Sequence, residues 1–183
     1  MRRRPPFSVL PAWPLWLVLL CLPLLATPAD AREPEQIRDF HSDITVHPDG
    51  SLTVVETILV NARGRNIRHG IYRDFPTRYP GRFGTLHTTG FELLSVERDG
   101  RAEPWHSENL DNGVRTYIGD RNLFISESLH RYTIRYRSDR QLGFDEDHDQ
   151  LYWNITGNQW AFPIRRASAT VHLPDGIANR LLS

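Results

Sequence analysis

Apolar residues at every second position are the feature that most limits the folds open to this chain. The clearest stretch, FHSDITVHPDGSLTVVETI at residues 40–58, contains His47-Pro48-Asp49-Gly50, a signal typical of a three-residue hairpin loop. The loop predicts three cross-strand pairs on one face: Val46 with Leu52, Ile44 with Val54, and Phe40 with Ile58. A shift of one residue would move this apolar set to the opposite face, so the pattern fixes the register.

The same alternation recurs later in the chain, and no window after residue 32 has the apolar period of a helix. Residues 91–97 predict a strand that ends at an Asp99-Gly100 turn, and three further segments predict strands: GVRTYIGD, LHRYTIRYRSD and ASATVHLPDG. The fold class is therefore all-β. Seven to nine short antiparallel strands in about 150 residues indicate an immunoglobulin-like β-sandwich. Residues 61–89 show little alternation and are interpreted as a loop or an irregular crossover.

The first 31 residues are interpreted as a signal peptide that precedes the fold. Three arginines at positions 2–4 stand before an apolar run, Val9–Ala26, and Ala29-Asp30-Ala31 offers small residues at the positions that signal peptidase reads. The alternative is an uncleaved signal anchor, because the run is about as long as the shortest spanning helix. Cleavage leaves residues 32–183, a length that suits one extracytoplasmic domain.

Composition limits what this domain can bind. The one cysteine, Cys21, lies in the signal, so the exported part must be stable without disulfides. Cleavage removes three arginines and Asp30, so the 22 basic and 22 acidic residues become 19 and 21. This balance gives no basic surface of the kind that binds nucleic acid.

An aromatic stretch, LYWNITGNQW at residues 151–160, admits two interpretations. Gly157-Asn158 is a two-residue hairpin signal that predicts three apolar pairs on one face: Ile155 with Trp160, Trp153 with Phe162, and Leu151 with Ile164. Packing then explains the aromatic residues, and this interpretation is favoured. The alternative is a platform for carbohydrate, which also combines aromatic rings with side-chain amides.

Four segments together carry a resemblance to a known family. They are DGSLTVVETI, HGIYRDFP at 69–76, LHRYTIRYR, and DQLYWNITGNQWAFPI at 149–164. Over about residues 36–176 the chain resembles the exported N-terminal domain of the YciQ-like predicted membrane proteins, domain-of-unknown-function family 2207. The resemblance implies a signal peptide, a β-rich extracytoplasmic domain and membrane helices after it, but no established activity. Because this chain ends at NRLLS without a spanning segment, we expect it to be a truncated member.

The segment HGIYRDFP supplies the first candidate for a functional surface. His69, Tyr72, Arg73 and Asp74 fall where no strand pattern is evident, and loops often hold binding residues. The alternative is that Ile71 and Phe75 close the end of the sandwich while Arg73 and Asp74 form a local ion pair.

An acidic run gives a weak candidate for a metal site. Asp145, Asp147 and Asp149 repeat as at the start of a calcium loop, but Gln150 and Thr156 stand where that loop needs glycine and glutamate. A solvated loop is favoured. No nucleophile motif or phosphate-binding loop is present in the sequence, so we predict no catalytic residues and no cofactor.

The leading hypothesis is a non-enzymatic sensing or interaction domain on the periplasmic or cell-surface side of the plasma membrane. Its partner would be an unknown envelope protein or the membrane part of the same protein. The alternative is a carbohydrate-binding or carbohydrate-active envelope module. Recognition is expected in two segments, the basic residues 65–84 and the acidic residues 138–150, which would form one surface if they meet at one end of the domain.

Overall fold

The hairpin around residues 47–50 forms with the predicted register and organises the main sheet. The computed structural model describes residues 33–80, 84–144 and 146–177. Strands β1 (Gln36–Val46) and β2 (Leu52–Asn61) pair antiparallel, and all three predicted cross-strand pairs are confirmed. Gly50 has a φ of 79° and donates its N–H to the carbonyl of His47 at 2.9 Å, which closes the turn.

The described residues contain thirteen strands, of which eight have six residues or more. The remaining strands are β3 (Ile71–Pro76), β4 (Arg78–Pro80), β5 (Leu86–Thr88), β6 (Phe91–Arg98), β7 (Arg101–Ala102), β8 (Trp105–Leu110), β9 (Gly113–Ile118), β10 (Leu129–Ser138), β11 (Leu142–Phe144), β12 (Asp149–Leu151) and β13 (Ala167–His172). The main sheet has the order β13-β1-β2-β10-β6-β7, and a smaller sheet has the order β3-β9-β8. The pairs β4–β5 and β11–β12 form two short hairpins.

Residues of both larger sheets share one apolar core, as in a β-sandwich. Phe40, Ile58 and Tyr136 of the main sheet and Phe75 and Ile118 of the small sheet are all buried within it. The prediction of an all-β sandwich is confirmed. The alternation in β10 is confirmed as well, since Tyr132, Ile134 and Tyr136 are at most 2% exposed.

The prediction of a wholly antiparallel fold is wrong at one edge, where β13 pairs parallel with β1. All six residues of this edge strand are exposed, so both of its faces are open to solvent. The main sheet has two ends. We name the end at which β1 begins the Gln36 end, and the end at which β1 finishes the Val46 end. Because the two strands run the same way, the described chain starts at the Gln36 end and β13 finishes at the Val46 end.

The predicted hairpin at residues 151–164 does not form. Leu151 pairs with Leu142 instead, and Ile164 makes a parallel bridge to Ile37. Asn154 closes a local turn by accepting the N–H of Gly157, and Pro163, which has no N–H, accepts that of Ile37 at 3.0 Å. The backbone groups are therefore used locally and by β1. The six apolar side chains of the segment still pack against the core, as the alternation predicted.

The proposed signal peptide, residues 1–31, lies outside the described residues. Within the described part, no helix is long and apolar enough to cross a membrane.

Candidate functional site

Arg73 and Glu56 form an ion pair in the interior of the sandwich. Arg73 Nε donates to Glu56 Oε2 at 2.9 Å and Nη2 donates to Oε1 at 2.8 Å, the two-pronged geometry that suits a guanidinium and a carboxylate. The side chains are 4% and 0% exposed. Tyr136 on β10 donates its hydroxyl to Glu56 Oε1 at 3.0 Å, so three strands meet at this carboxylate.

Aromatic rings and one glycine enclose the guanidinium of Arg73. Its central carbon lies 5.0 Å from the ring centre of Phe75, 5.3 Å from that of Trp160 and 5.8 Å from that of Phe40. A Cβ at Gly157 would lie only 2.3 Å from Nη1, so this position has no space for a side chain. The loop at residues 154–160 therefore covers the ion pair.

Burial and the charges of the ion pair shift the pKa values of two groups in this cluster. Burial alone lowers the pKa of Arg73, but the charge of Glu56 and its hydrogen bonds outweigh burial and raise the pKa above its usual value. Burial and the adjacent Glu56 carboxylate both raise the pKa of the Tyr136 hydroxyl well above its usual value. These shifts favour a charged Arg73 and a neutral Tyr136 at neutral pH.

The expectation that residues 69–76 form an exposed loop is wrong. Residues 71–76 form β3, which pairs with β9, and Arg73 points into the core because it takes an inward position between Ile71 and Phe75. The local ion pair between Arg73 and Asp74 does not form either, since Arg73 binds Glu56. Arg73 Nη1 reaches only the backbone carbonyl of Asp74, at 3.0 Å.

Asp74 forms a second ion pair, with Arg115, on the opposite face of β3, and Tyr72 packs beside this pair. Arg115, directly across on β9, donates from Nε and Nη2 to the two oxygens of Asp74 at 2.6 and 2.7 Å. The same guanidinium lies 4.4 Å from the ring centre of Tyr72. The hydrogen bonds to Asp74 raise the pKa of Arg115 above its usual value. The charges of Arg73 and Asp74 are thus used inside the domain.

His69 lies apart from the other three predicted residues. Its Nδ1 is 2.8 Å from the carbonyl oxygen of Leu123, and its ring lies 4.5 Å from that of Phe124. Tyr72, Arg73, Asp74 and His69 therefore occupy three different environments and do not make one surface.

A cleft of about 420 Å³ opens beside the buried ion pair at the Val46 end. Its apolar walls come from Pro76, Tyr79, Phe91, Leu142 and Trp153. The amides of Gln141, Asn154 and Asn158, together with Arg140 and His87, supply its polar groups. A cavity of this size, mainly apolar with a few polar groups, has the properties of a binding site for a small ligand or a short peptide segment.

The two segments expected to carry recognition both line this cleft. Thr77 and Tyr79 belong to the basic segment, and Arg140 and Leu142 belong to the acidic one. Two contacts join the acidic segment to residues 87 and 90, which follow the basic segment, rather than to an opposite charge within it. Asp139 accepts the N–H of Gly90 at 2.7 Å, and the carbonyl of Arg140 lies 2.8 Å from His87 Nε2.

Among residues 33–80, 84–144 and 146–177, no group of three His, Cys, Asp or Glu side chains is arranged to hold a metal ion, and this includes the described part of the acidic loop. Asp147 and Asp149 are exposed. Asp145 lies outside the described residues, so the weak metal hypothesis for Asp145, Asp147 and Asp149 stays a prediction.

A cluster of serine, histidine and aspartate at the Gln36 end was not foreseen from the sequence. His130 Nδ1 is 2.7 Å from Asp99 Oδ2, and Ser128 Oγ is 3.2 Å from His130 Nε2, an order that resembles a hydrolase triad. The shortest contact of Nε2, however, is 2.9 Å to the carbonyl oxygen of Ser126, which only accepts. While Nε2 donates to this carbonyl it cannot accept a proton from Ser128, so these contacts do not form the hydrogen-bond chain of a hydrolase triad.

Glu56 is the principal site residue that sequence reasoning missed, although a signal was present. It lies between Val54 and Ile58, both assigned to the buried face of β2, so the alternation placed a carboxylate in the core. A carboxylate there needs a cationic partner. Arg73, whose neighbours Ile71 and Phe75 are also apolar, has the same pattern in β3.

The fold and the cleft together define an all-β sandwich domain with an aromatic-lined cavity at an end of the main sheet. A family model described as the N-terminal domain of a predicted membrane protein (DUF2207) matches residues 36–182, and this chain belongs to that family. Uncharacterized protein YciQ of Escherichia coli (strain K12) is 35% identical over 145 residues, which are 79% of this chain and 23% of that protein. The chain thus spans about a quarter of the length of this curated relative. The resemblance seen in the sequence is confirmed.

Solved structures with a similar fold are distant. Native yeast LTA4 hydrolase has a TM-score of 0.42 at 11% identity, over 56% of this chain and 14% of that chain. An M1 zinc metallopeptidase from Deinococcus radiodurans has a TM-score of 0.39 at 15% identity, over 61% of this chain and 22% of that chain. Likeness at this level carries no argument about activity.

Proposed function

We propose that this domain is a non-enzymatic interaction module on the extracytoplasmic side of a membrane protein, and that it binds a peptide segment with an apolar side chain in the cleft. The observation that carries the proposal is the composition of the cleft. Its walls are aromatic and aliphatic, and its rim carries side-chain amides that can bind a peptide backbone.

Two charged residues of the cleft lining are occupied within the domain. Arg73 binds Glu56 and Asp74 binds Arg115, so neither is free to exchange a proton with a ligand. The apolar walls then provide affinity and the amide rim provides orientation. The extracytoplasmic location rests on the interpretation of residues 1–31 as a signal.

Carbohydrate is the second candidate ligand, and one observation favours it. Tyr152 is 89% exposed beside Asn154 and Asn158, and an exposed ring next to amides is a surface that can stack on a sugar. Trp153 and Trp160, in contrast, pack against the core and do not offer open ring faces.

Ligand-observed NMR separates the two candidates. The probes are blocked tripeptides with phenylalanine, leucine or serine in the centre, and a set of neutral oligosaccharides. We expect saturation transfer to the phenylalanine and leucine peptides and not to the serine peptide. Signals from the oligosaccharides alone would favour carbohydrate, and no signal from any probe would contradict both proposals.

Two variants locate the binding. Leu142→Ala removes part of the cleft wall and should weaken peptide binding, while Val171→Ala, on an exposed edge strand outside the cleft, should leave binding unchanged. Tyr152→Ala should abolish binding only if the ligand is carbohydrate that stacks on the exposed ring.

A further inference from the structure

Two adjacent apolar side chains project from the Gln36 end, far from the cleft. Leu123 is 64% exposed and Phe124 is 75% exposed, in the loop between β9 and β10. We call residues 120–125 the tip loop. Neighbouring large apolar side chains at this exposure are costly in water, and they often mark a contact surface.

The tip loop is held in this exposed position on both sides. Asp120 starts it by accepting two N–H groups, that of Asn122 on its carboxylate at 2.8 Å and that of Leu123 on its carbonyl at 3.0 Å. Ile125 ends it by packing on the core and donating its N–H to the carbonyl of Arg68 at 2.8 Å. His69 contacts both the Leu123 carbonyl and the Phe124 ring. The exposure is therefore built into the fold.

Exposed cations lie on the tip loop and on the segment that packs against it. Arg121 is in the tip loop, while Arg65 and Arg68 are in residues 62–69. The two segments are joined by the N–H of Ile125, which donates to the carbonyl of Arg68 at 2.8 Å. Two exposed apolar side chains, with arginines on the same loop and on the segment bonded to it, match the layered chemistry of an anionic membrane surface, where acyl chains lie below negative headgroups.

The acidic groups at this end are largely occupied within the domain. Glu35 accepts the N–H groups of Arg63, Arg65, Asn66 and Ile67 at 2.8–3.2 Å, and this binding lowers the pKa of its carboxyl although burial opposes it. Asp120 caps the tip loop. Glu127, exposed beside Gly64, is one acidic side chain of this region that would face a membrane.

The distribution of charge favours the same end of the domain. The acidic loop after residue 144 belongs to the β11–β12 hairpin, and Leu142 of that hairpin lies beside Gly50 at the Val46 end. The described chain begins at the Gln36 end, where Asn61 Nδ2 donates to the carbonyl of Glu33 at 3.0 Å.

We propose that Leu123 and Phe124 insert into an anionic membrane surface, with Arg65, Arg68 and Arg121 on its headgroups. This contact is independent of the cleft. It would hold the Gln36 end at the membrane and leave the cleft at the opposite end open to a partner.

The test places an environment-sensitive NBD dye on the tip loop of the full chain. Cys21→Ser removes the single cysteine, and Asn122→Cys introduces one on the exposed tip loop. Thr170→Cys, on an exposed position of β13, is the matched control. Vesicles of mixed phosphatidylglycerol and phosphatidylcholine should shift the emission of the dye at position 122 to the blue. The dye at position 170 should not shift, and vesicles of phosphatidylcholine alone should have little effect.

Substitutions then separate the apolar and the electrostatic contributions. The double substitution Leu123→Ser and Phe124→Ser should reduce the vesicle partition coefficient by about tenfold or more, the equivalent of roughly 1.4 kcal/mol of lost apolar burial. Arg68→Gln and Arg121→Gln should each reduce it about fivefold, since a basic residue near an anionic surface contributes about 1 kcal/mol. Circular dichroism checks that the variants fold, as expected for exposed positions.

Three results would overturn the proposal. They are no shift at position 122 with anionic vesicles, an equal shift at positions 122 and 170, and a shift at position 122 that grows with protein concentration in the absence of lipid. The last result would assign the tip loop to a protein contact instead.

Discussion

Arg73 and Glu56, 17 residues apart in the sequence, pair through two hydrogen bonds of 2.9 and 2.8 Å between the two sheets of the sandwich. Each residue comes from a different sheet, so the pair fixes how β3 lies over β2 as well as neutralising two buried charges. Such pairs contribute little net stability when compared with apolar residues, but removing one partner leaves the other charge buried and alone.

Removal of one partner should therefore cost more than removal of both. We expect Arg73→Met alone to lower the free energy of unfolding by about 3–5 kcal/mol, because Glu56 is left with only the Tyr136 hydroxyl. The double variant Arg73→Met with Glu56→Leu should recover a large part of that loss. Urea denaturation of the four members of the cycle measures the coupling. Additive costs would show that the two side chains act independently.

Gly157 is expected to be essential because of its contact with Arg73. It has a φ of 68°, and a Cβ there would lie 2.3 Å from Arg73 Nη1. Gly157→Ala should lower the free energy of unfolding by more than the roughly 1–3 kcal/mol that left-handed backbone costs a residue with a side chain. Gly100→Ala is the control, since Gly100 has a φ of 76° and open space around it. Urea denaturation measures the free energy of unfolding of both variants. Equal losses in the two would mean that Arg73 moves away from the new Cβ at position 157 at no cost in stability.

Much of the main sheet could be predicted from the sequence because local signals determine it. A turn at residues 47–50 and alternating residues on both sides leave one register for β1 and β2, and the same holds for the Asp99-Gly100 turn after β6. The parallel pairing of β13 with β1 joins segments more than 100 residues apart, with no turn to fix their direction. Nothing local encodes such a pairing.

The candidate site was harder to predict because its residues depend on long-range contacts. Arg73 was expected at the surface, since charged side chains usually lie there, and only its partner Glu56 makes its burial possible. The wrong hairpin at residues 151–164 has a similar cause. A glycine-asparagine pair favours a two-residue turn, but Gly157 is held by Asn154 and its left-handed backbone accommodates Arg73 instead.

The two aromatic residues Trp160 and Tyr152 should respond very differently to truncation. Trp160 packs on Phe40 and Arg73 and donates its Nε1–H to the carbonyl of Thr156 at 2.8 Å. Trp160→Ala should lower the free energy of unfolding by about 3 kcal/mol. Tyr152→Ala removes a side chain that is 89% exposed and should stay within about 0.5 kcal/mol of the wild type. Thermal and urea denaturation measure both, and a destabilised Tyr152→Ala would mean that the ring packs on the domain in solution.

Acid should weaken the fold partly through Asp99. Burial tends to raise the pKa of this carboxyl, but the N–H of Arg131 at 2.8 Å and the hydrogen bond from His130 at 2.7 Å outweigh burial and hold the pKa below its usual value. A carboxyl whose pKa is lower in the folded than in the unfolded state stabilises the fold fully above the unfolded pKa of about 3.9, and this contribution is lost as the pH falls through the folded pKa. Melting temperatures measured from neutral pH down to below pH 4 should therefore fall.

In Asp99→Asn the melting temperature should be lower at neutral pH and should fall less steeply in acid, because that variant has no carboxylate to protonate. Asp111→Asn, at the exposed turn between β8 and β9, is the matched control and should keep the slope of the wild type. The same acid slope in Asp99→Asn and in the wild type would show that other carboxyl groups account for the loss of stability.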